Sequence, residues 1–262
     1  MTRAWLLRGG PALAVGFGLA VMFLGGRPAP APAPAPTVAG EGLALAPGAA
    51  VDYHLAWSWE GARQDGDAHV FTTDLGYTVG ITAGEVGSNS LELVPCAPRT
   101  EPPRQASTSA LAWLQPRSAA AAHAQLADDS RVEAPTLESI AGPDMAFGTG
   151  VASGRAYCGL HYLIAPVIGA PSRASAAIRG WYIPPNTTTR VPFDAAVTVR
   201  GGAVRDLDAP VLPGDQGVRV VLRRYPARAL DGAALERLTP RELAYAFLRG
   251  LGREARASVS AM

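Results

Sequence analysis

Six side chains carry most of the reactive potential of this chain: Cys96, Cys158 and the four histidines His54, His69, His123 and His161. Cys158-Gly-Leu-His161 has the spacing of a metal-ligand pair, since a thiolate and an imidazole three residues apart can reach one ion. A closed zinc or copper site needs three or four ligands, so His123 is the next candidate if the chain draws it toward His161. The alternative for the cysteines is a Cys96–Cys158 disulfide, which an even count favours in an exported protein. Closing a loop of that length contributes ~4 kcal/mol in the chain-entropy treatment. His54 falls on the polar face of an alternating segment and His69 flanks the start of another, which fits surface or hydrogen-bonded histidines.

Catalytic signatures are missing from the sequence. It contains no Gly-x-Ser-x-Gly elbow, no His-Glu-x-x-His and no phosphate-binding loop. All 23 basic residues are arginine, so a lysine Schiff base is excluded. Asp128-Asp129 reads as a solvated loop pair, and Asn186-Thr-Thr188 matches a glycosylation sequon. The formal net charge of +1 speaks against nucleic acid as a partner, because phosphate contacts need a concentrated basic face. Trp181-Tyr182, beside Pro184-Pro185, is the candidate interaction patch.

The elements that must position these groups are mostly strands. Apolar residues make up 48% of the chain and charged residues 17%, enough to fill a core. Val51, Tyr53, Leu55, Trp57 and Trp59 alternate with polar residues, the period of a strand with one buried face. Further strands are expected at Val70-Phe71, Leu75 to Ile81, Leu91 to Val94, Tyr157 to Ile164, Ile178 to Ile183, Ala195 to Val199 and Val218 to Leu222. Short helices are expected at 109–114 and 118–126, and between Gln115 and Gly150 a long loop with short elements. Thr239-Pro-Arg-Glu242 is a capping box with proline at the first helical position, and Leu243, Phe247 and Leu251 then fall four apart. This predicts an amphipathic helix over about 240–255, with Arg249, Arg253 and Arg256 near its end. The expected fold is a mainly β, antiparallel sandwich-like domain closed by that helix, spanning residues 43–262.

Residues 1–27 precede that domain as a signal peptide or signal anchor. Arg3 and Arg8 come before an uncharged run from 9 to 26, and Arg27 ends it. Eighteen uncharged residues just reach the length of a membrane-spanning helix, and no good small-x-small cleavage site follows directly. If uncleaved, this run anchors the chain in the inner membrane with the domain outside. Residues 28–42 form a Pro/Ala-rich linker that favours extended polyproline II and acts as a semi-rigid spacer. The location expected is periplasmic or otherwise extracytoplasmic.

Four segments together resemble the periplasmic methanobactin-associated copper-protein family (MbnP-like) and its exported relatives: Asp74-Leu-Gly-Tyr-Thr-Val79, Leu91-Glu-Leu-Val-Pro-Cys96, Tyr157-Cys-Gly-Leu-His-Tyr162 and Leu230-Asp-Gly232. The resemblance implies an all-β domain, copper binding and a di-haem peroxidase partner that oxidises a tryptophan. The functional expectation is thus a non-enzymatic exported protein that handles metal, with copper as the cofactor. The rivals are a membrane-tethered structural or protein-interaction module with an envelope partner, and, third, an envelope hydrolase.

Overall fold

The computed structural model describes residues 48–96, 129–214 and 217–262. The leader, the linker, the two short helices expected at 109–114 and 118–126, and His123 lie outside the described residues. Among the described residues there are twelve strands, one α-helix and two short 3-10 turns (Pro226–Arg228 and Leu235–Arg237): β1 (Ala49–Trp57), β2 (Arg63–Asp65), β3 (Ala68–Thr72), β4 (Thr78–Pro95), β5 (Val132–Ser139), β6 (Met145–Ala152), β7 (Tyr157–Ile164), β8 (Ala176–Ile183), β9 (Val191–Val197), β10 (Gly201–Val211), β11 (Gly217–Arg224), α1 (Pro240–Glu254) and β12 (Arg256–Ala261). The strands make one large mixed sheet whose main path runs β2-β3-β4-β7-β10-β12-β11-β1-β6. β5 pairs with β4, and β8 joins β4 to β9. Most neighbours are antiparallel, but β1 runs parallel to β11 and β10 parallel to β12. The parallel pairs arise at the C-terminal end, where β12 returns after α1 and lies between β10 and β11.

β4 organises the sheet. The two strands expected at Leu75 to Ile81 and Leu91 to Val94 are parts of this one 18-residue strand. Its register shifts at Ile81/Ala83 and Ser88/Ser90, which lets it pair first with β3 and β8 and then with β5 and β7. The stretch expected to be mostly loop holds β5 and β6 instead. β5 is too polar to show period-two apolarity, and in β6 Gly148 and Gly150 interrupt the pattern. β10 and β12 were hidden for a similar reason: both are largely exposed.

One buried cluster unites the inner faces. Val51, Tyr53 and Leu55 of β1 meet Val218, Val220 and Leu222 of β11, together with Leu91 and Leu93 of β4 and Leu160 and Tyr162 of β7. The helix adds Leu243, Phe247 and Leu251, the predicted apolar stripe, with Ala244 and Leu248 beside it. Thr239 and Glu242 form the reciprocal capping box and Pro240 opens the helix, so its N-terminus is satisfied before any tertiary contact is counted.

Candidate functional site

Cys96 and Cys158 form a disulfide, with Cα atoms 4.8 Å apart. The bridge sits where β4 ends and β7 begins, next to the Pro95–Tyr157 register pair, and the Cys96 N–H donates to the Ala156 carbonyl at 3.0 Å. Bonded to each other, the two sulfurs offer no thiolate to a metal. His161 is half-buried on the opposite face of β7 from Leu160 and Tyr162, with Glu92 of β4 and Val204 of β10 as its register partners. Its ring lies over Gly202, where a Cβ would come within 2.6 Å of Nε2. Among the described residues no three His, Cys, Asp or Glu side chains gather as a metal site. His54 is bonded to Asp52 at 2.8 Å, and that hydrogen bond holds the Asp52 carboxyl below its usual range, helped by Arg219. His69 stacks on Trp59 with ring centroids 3.9 Å apart, and burial lowers its pKa.

Trp181 and Tyr182 point to opposite faces of β8, so they do not form a shared surface patch. Tyr182 is buried and meets Tyr77 edge-on, with centroids 6.0 Å apart. Trp181 covers its register partner Gly80, where any Cβ would collide with the indole. The Arg190 guanidinium lies 4.1 Å from the ring centroid. An aromatic ring filling the gap over a strand glycine is a packing device.

A polar cluster that sequence patterns did not reveal occupies the core. Arg224 is at the inward position that follows Val218, Val220 and Leu222 on β11, and its side chain is fully buried. It grips Glu138 of β5 with two parallel bonds, Nη1 to Oε1 at 2.9 Å and Nη2 to Oε2 at 2.6 Å. Nη1 also donates to the Tyr162 hydroxyl at 3.0 Å. Ser88 of β4 bonds both Glu138 and Tyr162. The Trp57 ring lies 3.7 Å from the guanidinium carbon. Burial pushes the Tyr162 phenol up, and the Glu138 charge adds to this while Arg224 opposes it. Five strands therefore meet at one charge pair, which is closed off from solvent and fits a structural tie better than a reaction centre.

A cleft of about 410 Å³ opens between β10 and α1. Gly201, Ala203 and Gly252 are among its lining residues, together with four arginines: Arg200, Arg205, Arg249 and Arg253. Arg253 is held by Glu254 at 2.7 Å and by the Asp231 carbonyl at 3.2 Å. Arg205 donates from Nη1 to the Arg253 carbonyl at 2.8 Å, and its buried Nε has no partner. Arg249 and Arg253 were visible in the sequence only as favourable charges near a helix end; their convergence with Arg200 and Arg205 depends on how β10 meets α1. No family model, curated protein or solved structure matches the chain.

Proposed function

We propose that this chain is an exported, non-enzymatic binding module, held outside the inner membrane by its N-terminal apolar segment and Pro-Ala spacer. The observation that carries the reading is the Cys96–Cys158 disulfide, a bond that persists in oxidising compartments and is rare in the cytosol. Two features support a binding role over a catalytic one. Both sulfurs are committed to each other, and the best-organised charged pair, Arg224–Glu138, is sealed in the core. The cleft beside α1 is of a size that small ligands occupy. Copper handling, implied by the family resemblance, gains no support from the described residues, among which no three possible ligands gather.

The test is to express the full chain with its own N-terminus, fractionate the cells and label thiols under denaturing conditions. The expected result is protein in the envelope fraction whose cysteines resist labelling until a reductant is added. Resistance to alkaline extraction would identify the anchored form, and release into the periplasm the cleaved one. Cytoplasmic protein with two free thiols would overturn the export reading.

A further inference from the structure

We propose that the cleft between β10 and α1 is a binding site for small polyanions, molecules bearing two or more carboxylate or phosphate groups. The inference stands apart from the export reading, since it rests on the cleft's own charge and shape. The chain as a whole is nearly neutral, at +1, yet four arginines line this one cleft and no carboxylate residue does. Every basic residue in the protein is arginine, so the choice of residue type carries no weight; the placement does. Glu254 offsets Arg253. Glu242 and Asp231 line a neighbouring cleft that shares Arg249 and Arg253 with this one, but Glu242 accepts from the Thr239 N–H in the helix cap and the Asp231 carboxylate accepts from the Asp74 N–H. Arg200 and Arg249 are exposed and have no carboxylate partner among the described residues, although Tyr245 lies near Arg249, 6.0 Å from ring centroid to guanidinium.

Like charges gathered on low-dielectric walls repel one another and focus a positive potential into the space between them. An oxyanion removes that repulsion and accepts charge-assisted hydrogen bonds from forked guanidinium donors. Small residues keep the space open: a Cβ on Gly252 would come within 3.3 Å of Ala203, whereas one on Gly201 would meet nothing within 4 Å. The volume of about 410 Å³ suits a molecule of several oxyanion groups better than a lone monovalent ion. Carboxylate and phosphate share this recognition chemistry, so the source is left to the measurement.

Isothermal titration of the full-length, disulfide-intact chain at low ionic strength, with citrate in one arm and inorganic pyrophosphate in the other, tests the site. Saturable binding of one equivalent in at least one arm is expected, and the stronger arm names the natural group. The Arg200→Gln/Arg249→Gln double variant should weaken binding tenfold or more, since each lost charge-assisted contact is worth about that factor. Gly201→Leu, which fills the cleft without changing charge, should abolish it. Arg63→Gln, an exposed arginine remote from the cleft lining, should leave it unchanged. Thermal melts confirm that each variant is folded, and the exposed double variant decides the matter if Gly201→Leu is not. No saturable binding in either arm overturns the proposal. So does equal weakening by Arg63→Gln, which would reveal only diffuse surface attraction.

Discussion

Arg224 and the arginines of the helix cleft put one side chain in opposite settings. Arg224 is sealed in the core, with a bidentate carboxylate, a phenol and an indole around it. Arg200 and Arg249 stand in solvent, share a cleft with two further arginines and have no carboxylate partner among the described residues. In the first setting the two terminal nitrogens are paired, although the buried Nε has no hydrogen-bond partner, and the result is a tie between strands distant in sequence. In the second there is no such tie, and mutual repulsion leaves these groups more available to an outside anion than to the fold. A charge with its partner built in serves architecture; a charge without one is open to a ligand.

The comparison breaks most sharply at Glu138. Glu138→Ala should destabilise the domain by about 3–5 kcal/mol, because it strands a buried guanidinium, and urea denaturation with an unchanged m-value would show it. Arg224→Met should cost a similar amount, and the Glu138→Gln/Arg224→Met double variant less than the sum of its single changes, since two neutral side chains leave no orphaned charge. If Glu138→Ala shifted stability by under about 1 kcal/mol, the cluster would not be the tie described here.

A smaller effect belongs to the helix that carries two of the cleft arginines. Thr239→Ala removes the side-chain half of the capping box that the Glu242 N–H uses and should cost about 1 kcal/mol. Hydrogen exchange should quicken in the first turn of α1 while the amides around Arg224 stay protected, because fraying at one helix end does not reach the sheet's core.

The two settings also differ in how far the sequence exposed them. α1 was readable almost to the residue, since Thr239-Pro-Arg-Glu242 and the Leu243, Phe247, Leu251 spacing are local signals. Strands with one clearly apolar face, such as β1 and β7, were readable too. β5, β6, β10 and β12 were not, because their positions depend on pairing rather than on an apolar alternation. The Arg224 cluster left one usable trace. A charged residue continues the inward parity of Val218, Val220 and Leu222, and a buried arginine requires an acid. Nothing local points from there to Glu138, which lies 86 residues away. The cleft depends on the same long-range geometry. For the pair Trp181 and Tyr182, alternation along the expected strand Ile178 to Ile183 already puts neighbouring residues on opposite faces, and β8 bears this out.

Between the two arginine settings lies a pair whose titration can be followed. The Tyr77 hydroxyl donates to Glu236, and burial together with that carboxylate pushes the phenol up to about 12. The hydrogen bond from Tyr77 holds Glu236 below the usual range. An unfolded tyrosine titrates near 10. Between about pH 10 and 12 the unfolded chain has therefore lost a proton that the native one keeps, and stability falls as pH rises through that window. Glu236 has the opposite sign: its contribution is present above the unfolded carboxyl value of about 4.3 and fades as pH falls through the lowered native one. Tyr77→Phe should flatten both limbs of the pH–stability curve, as read from denaturant midpoints. An unchanged alkaline limb would assign it to Tyr162 and Tyr182, whose phenols burial also raises.

The smallest effect is the most discriminating, because its sign is opposite to that of the first. Removing charge from the Arg224 cluster must destabilise; removing it from the cleft should not. Arg200→Gln and Arg249→Gln each relieve repulsion between exposed like charges, so each should be neutral or stabilise by a few tenths of a kcal/mol at low salt. The gain should vanish as salt shortens the Debye length toward about 8 Å at physiological ionic strength. Adding a bound polyanion should reverse the order, with wild type now the more stable, because a ligand that binds only the native state raises its stability by mass action. Melts of wild type and the double variant, at two salt concentrations and with and without citrate, would follow this crossover. A double variant less stable than wild type in low salt without ligand would mean that the cleft arginines support the fold after all, and the distinction between the two settings would collapse.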